Sequence, residues 1–140
     1  MSDAERVDVV RLVPRLVALD HVQLAMPAGR EADAAAFYCG LLGLTEVAKP
    51  PVLAARGGCW FEGDVTVHLG VDPSFSPARK AHPAFVVAAY GTLVDRLRAA
   101  GGEVVFDDAI AGVRRCYVDD PFGNRIELIA GRDEEGSAES

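Results

Sequence analysis

The sequence lacks several features that would assign it to a well-marked class of protein. Its three cysteines, Cys39, Cys59 and Cys116, are far apart and form no CxxC pair, so we expect neither a disulfide framework nor a zinc knuckle. No apolar run approaches the roughly 20 residues that span a bilayer, and the mixed-charge N-terminus is unlike a secretory signal. We therefore expect a cytoplasmic protein with reduced thiols and no association with a membrane.

Basic residues are also scarce. Fourteen Lys and Arg stand against 21 Asp and Glu, which gives a formal charge of −7. Because these bases are scattered along the chain, nucleic acid is not an expected partner, and an anionic substrate would need arginines placed locally. The 140 residues, half of them hydrophobic, suit one globular domain.

Histidine is as rare as cysteine, with three residues, and its placement is informative. His21 and His68 each lie on a short apolar strand where alternation turns the imidazole away from the apolar face, and His82 begins a third such strand. Glu127 occupies the equivalent face of a fourth. Three imidazoles and one carboxylate suit a divalent metal ion such as Zn, Ni, Co, Mn or Fe. Two alternatives stay open: structural histidines, and a Glu127 that pairs with an arginine such as Arg115.

The chain reads as two similar halves, over about residues 17–72 and 81–131. Helices are predicted over about residues 30–42 and 93–100, the second with Thr92 as its N-cap. His21 precedes His68 by 47 residues and His82 precedes Glu127 by 45, so each half is a βαβββ module with a candidate ligand on its first and last strands. Residues 1–16 form an arm that adds a strand or packs on a partner, and residues 132–140 read as a disordered tail.

Three segments resemble the vicinal oxygen chelate superfamily, which includes glyoxalase I, methylmalonyl-CoA epimerase, extradiol dioxygenases, and fosfomycin and bleomycin resistance proteins. They are residues 19–22 around His21, residues 37–44 with a Phe-Tyr-x-x-Leu-Leu-Gly run, and residues 117–128 with an Asp-Pro-x-Gly-Asn turn before Glu127. The resemblance covers about residues 17–131. It implies an α+β fold in which two βαβββ modules curl into a cup-shaped open barrel with helices outside, and it implies a homodimer.

The resemblance also implies the ligands. His21, His82 and Glu127 match the two-histidine, one-carboxylate set of metal-dependent members, while His68 falls where glyoxalase I-like enzymes place a carboxylate and epimerases an amide. His68 is therefore either a fourth ligand or a base, and Glu127 is the second catalytic candidate. We expect a lyase or isomerase whose metal acts as a Lewis acid on a small substrate with vicinal oxygens. The alternative is a metal-free binding protein of the bleomycin-resistance type.

Strand alternation predicts the rest of the pocket. Gln23 shares the face of His21, and Thr66 shares that of His68. A two-residue hairpin loop at Gly63-Asp64 would turn Cys59 and Phe61 toward the same face and Trp60 into the core. Near the last strand, the sequence predicts two further pocket residues, Arg115 and Tyr117.

Overall fold

A computed structural model describes residues 12–131. The first half contains β1 (Val22–Met26), α1 (Glu31–Ala35) continuing into a π-helical segment (Ala36–Leu41), β2 (Thr45–Val47), α2 (Pro51–Ala54), β3 (Cys59–Glu62) and β4 (Thr66–Val71). The second half contains β5 (Ala84–Val87), α3 (Tyr90–Ala99), β6 (Val105–Phe106), β7 (Arg115–Asp119) and β8 (Arg125–Ala130). The predicted tail and residues 1–11 of the predicted arm lie outside the described residues.

The two halves have the same topology. One sheet has the strand order β1-β4-β3-β2 and the other has β5-β8-β7-β6, and in each the first strand runs parallel to the last. This confirms the predicted α+β fold with a repeated βαβββ unit. The two sheets do not close into a barrel, which agrees with the predicted open cup. Among residues 12–131, no helix has both the length and the apolar character needed to cross a membrane.

The first helix lies where the sequence predicts it, and its second half is a π-helix, which has a wider turn than an α-helix. The Leu42 N–H donates to the Phe37 carbonyl at 3.0 Å, five residues back, as in a π-helix. Gly43, at φ +82°, then ends the helix, because glycine adopts the left-handed region without a steric penalty.

The second helix begins earlier than predicted. Ala89 precedes it at φ +52° and makes no side-chain cap, so the helix starts at Tyr90. The prediction of Thr92 as N-cap is therefore wrong, since Thr92 lies within the first turn. The left-handed Ala89 turns the chain from β5 straight into α3 without the polar cap that the sequence suggested.

The β3–β4 hairpin differs from its prediction in register. Glu62 pairs with Thr66, so the loop has three residues, 63–65, and Trp60 lies opposite His68. Because side chains alternate along a strand, a shift of one residue exchanges the two faces. Cys59 and Phe61 are therefore not pocket residues: they lie in the core, 1% and 0% exposed.

Buried residues of both modules form one continuous core. Met26, Tyr38 and Phe61 come from the first module, and Ile126 and Leu128 from the second; all are fully or almost fully buried. This packing lies on one face of each sheet, against the helices. The opposite face of each sheet, its open face, carries the polar side chains that the sequence predicted for the site.

The buried carboxylate of Asp120 is the centre of a hydrogen-bond network that connects the two modules. Asp120 Oδ1 accepts the backbone N–H groups of Phe122 and Asn124, both at 2.9 Å, which shapes the turn before β8. Asp120 Oδ2 accepts the Tyr38 hydroxyl at 2.7 Å and the Asn124 amide at 2.9 Å. The Asn124 amide also donates to the Ala25 carbonyl on β1 at 2.8 Å. The turn that leads to Glu127 is thus bonded to a helix and a strand of the other module.

We predict that Asp120→Ala lowers the free energy of unfolding by about 2–4 kcal/mol, because four buried donors lose their acceptor. Urea unfolding followed by circular dichroism measures the change. Asp119→Asn is the matched control, since Asp119 is its half-exposed neighbour with one ion pair to Arg79, and it should cost less than about 1 kcal/mol. Equal losses in the two variants would contradict this role of Asp120.

Candidate functional site

His82 and Glu127 form an imidazole–carboxylate pair on the open face of the second sheet. His82 Nε2 lies 2.9 Å from Glu127 Oε1, and the side chains are 21% and 11% exposed. His82 Nδ1 lies 2.8 Å from the Lys80 carbonyl oxygen, which can only accept. Nδ1 therefore carries a hydrogen, and the neutral ring would direct its Nε2 lone pair at a carboxylate oxygen. A cation, either a proton or a metal ion, is needed between these two atoms.

Arg115 holds the other oxygen of Glu127. Its Nη1 donates to Glu127 Oε2 at 3.1 Å and to the Tyr117 hydroxyl at 3.0 Å, and its Nη2 lies 2.9 Å from Asp107 Oδ2. Burial raises the pKa of Glu127, but hydrogen bonds from His82 and Arg115 outweigh it, and the net shift is downward. The pairing of Glu127 with Arg115 that the sequence left open is therefore present. It leaves Oε1 directed at His82.

The first sheet presents a ring stack made of Trp60, His68 and His21. The Trp60 and His68 ring centroids are 4.1 Å apart with planes 4° apart, and those of His68 and His21 are also 4.1 Å apart, at 25°. His68 is thus covered on both faces and is 9% exposed. Burial lowers the pKa of His68, and the neighbouring His21 lowers it further, which favours the neutral ring.

His21 stands at the accessible end of the ring stack. Its Nδ1 donates to Asp20 Oδ2 at 2.8 Å, and its side chain is 36% exposed. A carboxylate on one ring nitrogen orients an imidazole and makes the other nitrogen more basic, as is usual for histidines that bind metals. Nε2 of His21 is therefore available as a ligand.

The remaining predicted pocket residues on the first sheet also lie on its open face. Gln23 pairs in register with His68, and its amide nitrogen lies 2.7 Å from the point where a Gly70 Cβ would stand. A larger residue at position 70 would displace the end of the Gln23 side chain from this place. Thr66 lies half-buried opposite Glu62.

The four predicted ligands lie as two pairs on different sheets. Among residues 12–131, no three His, Cys, Asp or Glu side chains lie close enough together to hold a metal ion. His21 and His68 belong to the first sheet, and His82 and Glu127 to the second. These two pairs, called the half-sites, are separate within residues 12–131.

Two residues of the open faces escaped the sequence analysis. Trp60 was predicted in the core, although Glu62 on the same strand face was a signal against it, since a carboxylate rarely faces an apolar core. Arg125 was also missed. It lies two residues before Glu127, on the same face of β8, and its guanidinium carbon is 5.0 Å from the Tyr117 ring centroid.

Comparison with known proteins identifies relatives of this chain. Residues 18–128 match the model of the Glyoxalase/Bleomycin resistance protein/Dioxygenase superfamily. A Bacillus anthracis structure described as a glyoxalase family protein is 44% identical, with a TM-score of 0.81 over 86% of this chain and 100% of that one. No curated protein matches the sequence significantly.

More distant structures share the fold. The fosfomycin resistance protein FosX from Listeria monocytogenes is 20% identical, with a TM-score of 0.67 over 86% of this chain and 98% of that one. A glyoxalase/dioxygenase from Nostoc punctiforme is 21% identical, with a TM-score of 0.63 over 84% and 97% of the two chains.

We predict that His68→Ala destabilises the protein by about 1–2 kcal/mol, because the middle ring of the stack is lost, whereas His68→Phe retains most of the stability. Trp60 is the only tryptophan, so its emission reports on the stack directly. It should shift to longer wavelength in His68→Ala, where water reaches the indole, and much less in His68→Phe. Unchanged emission in the alanine variant would show that the stack does not form.

Proposed function

Because the chain belongs to the Glyoxalase/Bleomycin resistance protein/Dioxygenase superfamily, we propose that it is a metal-dependent enzyme of the lyase or isomerase type. Its substrate would be a small molecule with two neighbouring oxygens. The observation that carries this proposal is the contact between His82 Nε2 and Glu127 Oε1 at 2.9 Å. Because the Lys80 carbonyl takes the Nδ1 hydrogen of His82, a proton or a metal ion must lie between these two atoms, and imidazole with carboxylate is a donor set that divalent metal ions prefer.

We propose His21, His82 and Glu127 as the ligands. When bound, the ion would act as a Lewis acid, polarising the two substrate oxygens and stabilising negative charge as it develops. The protein orients its ligands through second contacts: Asp20 on His21, the Lys80 carbonyl on His82 and Arg115 on Glu127. Such hydrogen-bond partners hold the side chains in the orientation that a metal ion would require.

His68 is proposed as the base rather than as a ligand. Its ring makes no hydrogen bond to residues 12–131, and burial favours its neutral form, so a ring nitrogen of His68 would be free to accept a proton from the substrate. Because His68 is stacked between Trp60 and His21, the plane of its ring is fixed, and so is the direction from which its nitrogen can accept that proton. Gln23 lies beside it and can donate an amide hydrogen to substrate oxygen.

We propose that two copies of the chain complete each site. The Asp120 bonds and the shared core hold the modules of one chain in fixed relation, so the half-sites do not meet by simple rotation of the modules. Apolar side chains of the arm that leads to His21 are exposed, with Leu16 at 99%, Val17 at 78% and Leu19 at 78%. A homodimer would cover such an arm and bring His21 of one copy to His82 and Glu127 of the other.

The metal-free alternative also has an observation in its favour. Both oxygens of Glu127 already have partners, Oε1 with His82 and Oε2 with Arg115. A protonated His82 would satisfy this contact without metal, and the two open faces would then bind a drug or metabolite. The two functions differ in whether the protein binds a metal ion through these residues.

We predict that untagged protein, incubated with Zn, Ni, Co, Mn or Fe(II) in turn, binds about one equivalent of at least one metal per chain. The double variant His82→Ala/Glu127→Ala should bind that metal at least about 100-fold more weakly, because two ligands are lost. Isothermal titration calorimetry and elemental analysis measure both. Asp95→Ala, on the outer face of α3, is the control and should bind like the wild type.

His68→Phe in the same titration separates the two roles of that residue. Phenylalanine stacks but cannot coordinate, so affinity close to that of the wild type supports a base, and a loss as large as that of the double variant supports a fourth ligand. Failure of the wild type to bind any of the five metals would overturn the enzyme proposal in favour of metal-free binding.

A further inference from the structure

Arg125 is a cation on the open face of β8 that makes no ion pair within residues 12–131, although Asp119 lies opposite it in the β7–β8 register and pairs instead with Arg79. It is half-buried and its guanidinium lies over the Tyr117 ring, with the guanidinium carbon 5.0 Å from the ring centroid. It forms no ion pair with any carboxylate of residues 12–131, although the whole chain has 21 acidic residues and only 14 basic ones. An arginine that pairs with no carboxylate of the described residues is available to a ligand.

The neighbouring arginines are already neutralised. Arg115 is held between Glu127 and Asp107, at 3.1 and 2.9 Å, and Arg79 pairs with Asp119 at 3.0 Å. Arg79 and Arg125 line a recess of about 270 Å³ together with Tyr117 and Asp119. Glu103 stands at the same recess but is exposed and does not pair with Arg125. Of these three arginines, only Arg125 makes no ion pair within the part of the chain that the structure describes.

Tyr117 adds a donor and connects the recess to the imidazole–carboxylate pair. Its hydroxyl oxygen accepts from Arg115 at 3.0 Å, which leaves its own O–H free to donate. Its ring meets that of His82 edge to face, with centroids 5.5 Å apart. A single aromatic ring therefore separates the Arg125 guanidinium from a proposed metal ligand.

We propose that Arg125, assisted by the Tyr117 hydroxyl, binds an oxyanion of the substrate, a carboxylate or a phosphorus oxyanion, and so selects the substrate class. This inference rests on the proposed function. Arginine recognises such groups through paired, charge-assisted hydrogen bonds. Arg125 and Glu127 are two residues apart on one strand face, or about 7 Å. The substrate is therefore a small molecule whose anionic group lies a few bonds beyond its vicinal oxygens.

Two hydroxamates that differ in one group test this inference. Succinic monohydroxamic acid carries two neighbouring oxygens for the metal and a carboxylate at its far end, and its carboxamide analogue has the same shape without the charge. We expect the metal-loaded wild-type protein to bind the carboxylate probe about 10- to 100-fold more tightly. In Arg125→Gln the two affinities should become equal, whereas Arg56→Gln, which removes an exposed arginine of the α2–β3 loop, should keep the wild-type preference.

The outcomes separate this inference from the proposed function. Equal, metal-dependent affinities of the wild type for both probes would overturn the oxyanion role while leaving the metal site intact. A preference that persists in Arg125→Gln, with folding verified by circular dichroism, would overturn it as well. If neither probe binds the metal-loaded wild type, the proposed function fails and the inference fails with it. Tyr117→Phe should reduce the preference in part, since the guanidinium remains.

Discussion

The buried Asp120 carboxylate is the interaction on which the geometry of the molecule depends. It satisfies four donors at once, two from its own turn and two from the side chains of Tyr38 and Asn124. Asn124 in turn bonds to β1, the strand that follows directly from His21. One acidic residue thus determines where β8 begins, and through β8 it determines the position of Glu127 relative to the first module.

The open faces of the two sheets carry different chemical groups. One is a stack of aromatic rings that ends in an available imidazole, and the other holds imidazole, carboxylate and guanidinium groups within hydrogen-bond distance. Arg115 neutralises one oxygen of Glu127, so the charge left for a metal ion lies on the oxygen beside His82. The protein thereby keeps a carboxylate ionised in a largely buried place, which is costly without a cation.

Much of this could be predicted from the sequence, and the failures have physical causes. Alternation predicts the faces of His21 and His68 because it depends only on the backbone, and the repeated strand order follows from the matched spacing of the halves. The register of the β3–β4 hairpin depends on loop length, and a three-residue loop instead of two moved Trp60 to the open face and Cys59 to the core. The separation of the half-sites could not be predicted, since periodicity says nothing of how two modules pack.

The central claim is that the ligands of one site come from two chains, and co-expression of a His21→Ala chain with a His82→Ala chain tests it most directly. Each variant alone should bind little metal. If the sites are shared, one site of every mixed dimer retains all its ligands, and random pairing restores about a quarter of the wild-type metal content. If each site lies within one chain, no site is intact, and a metal content no higher than that of the single variants would contradict the claim.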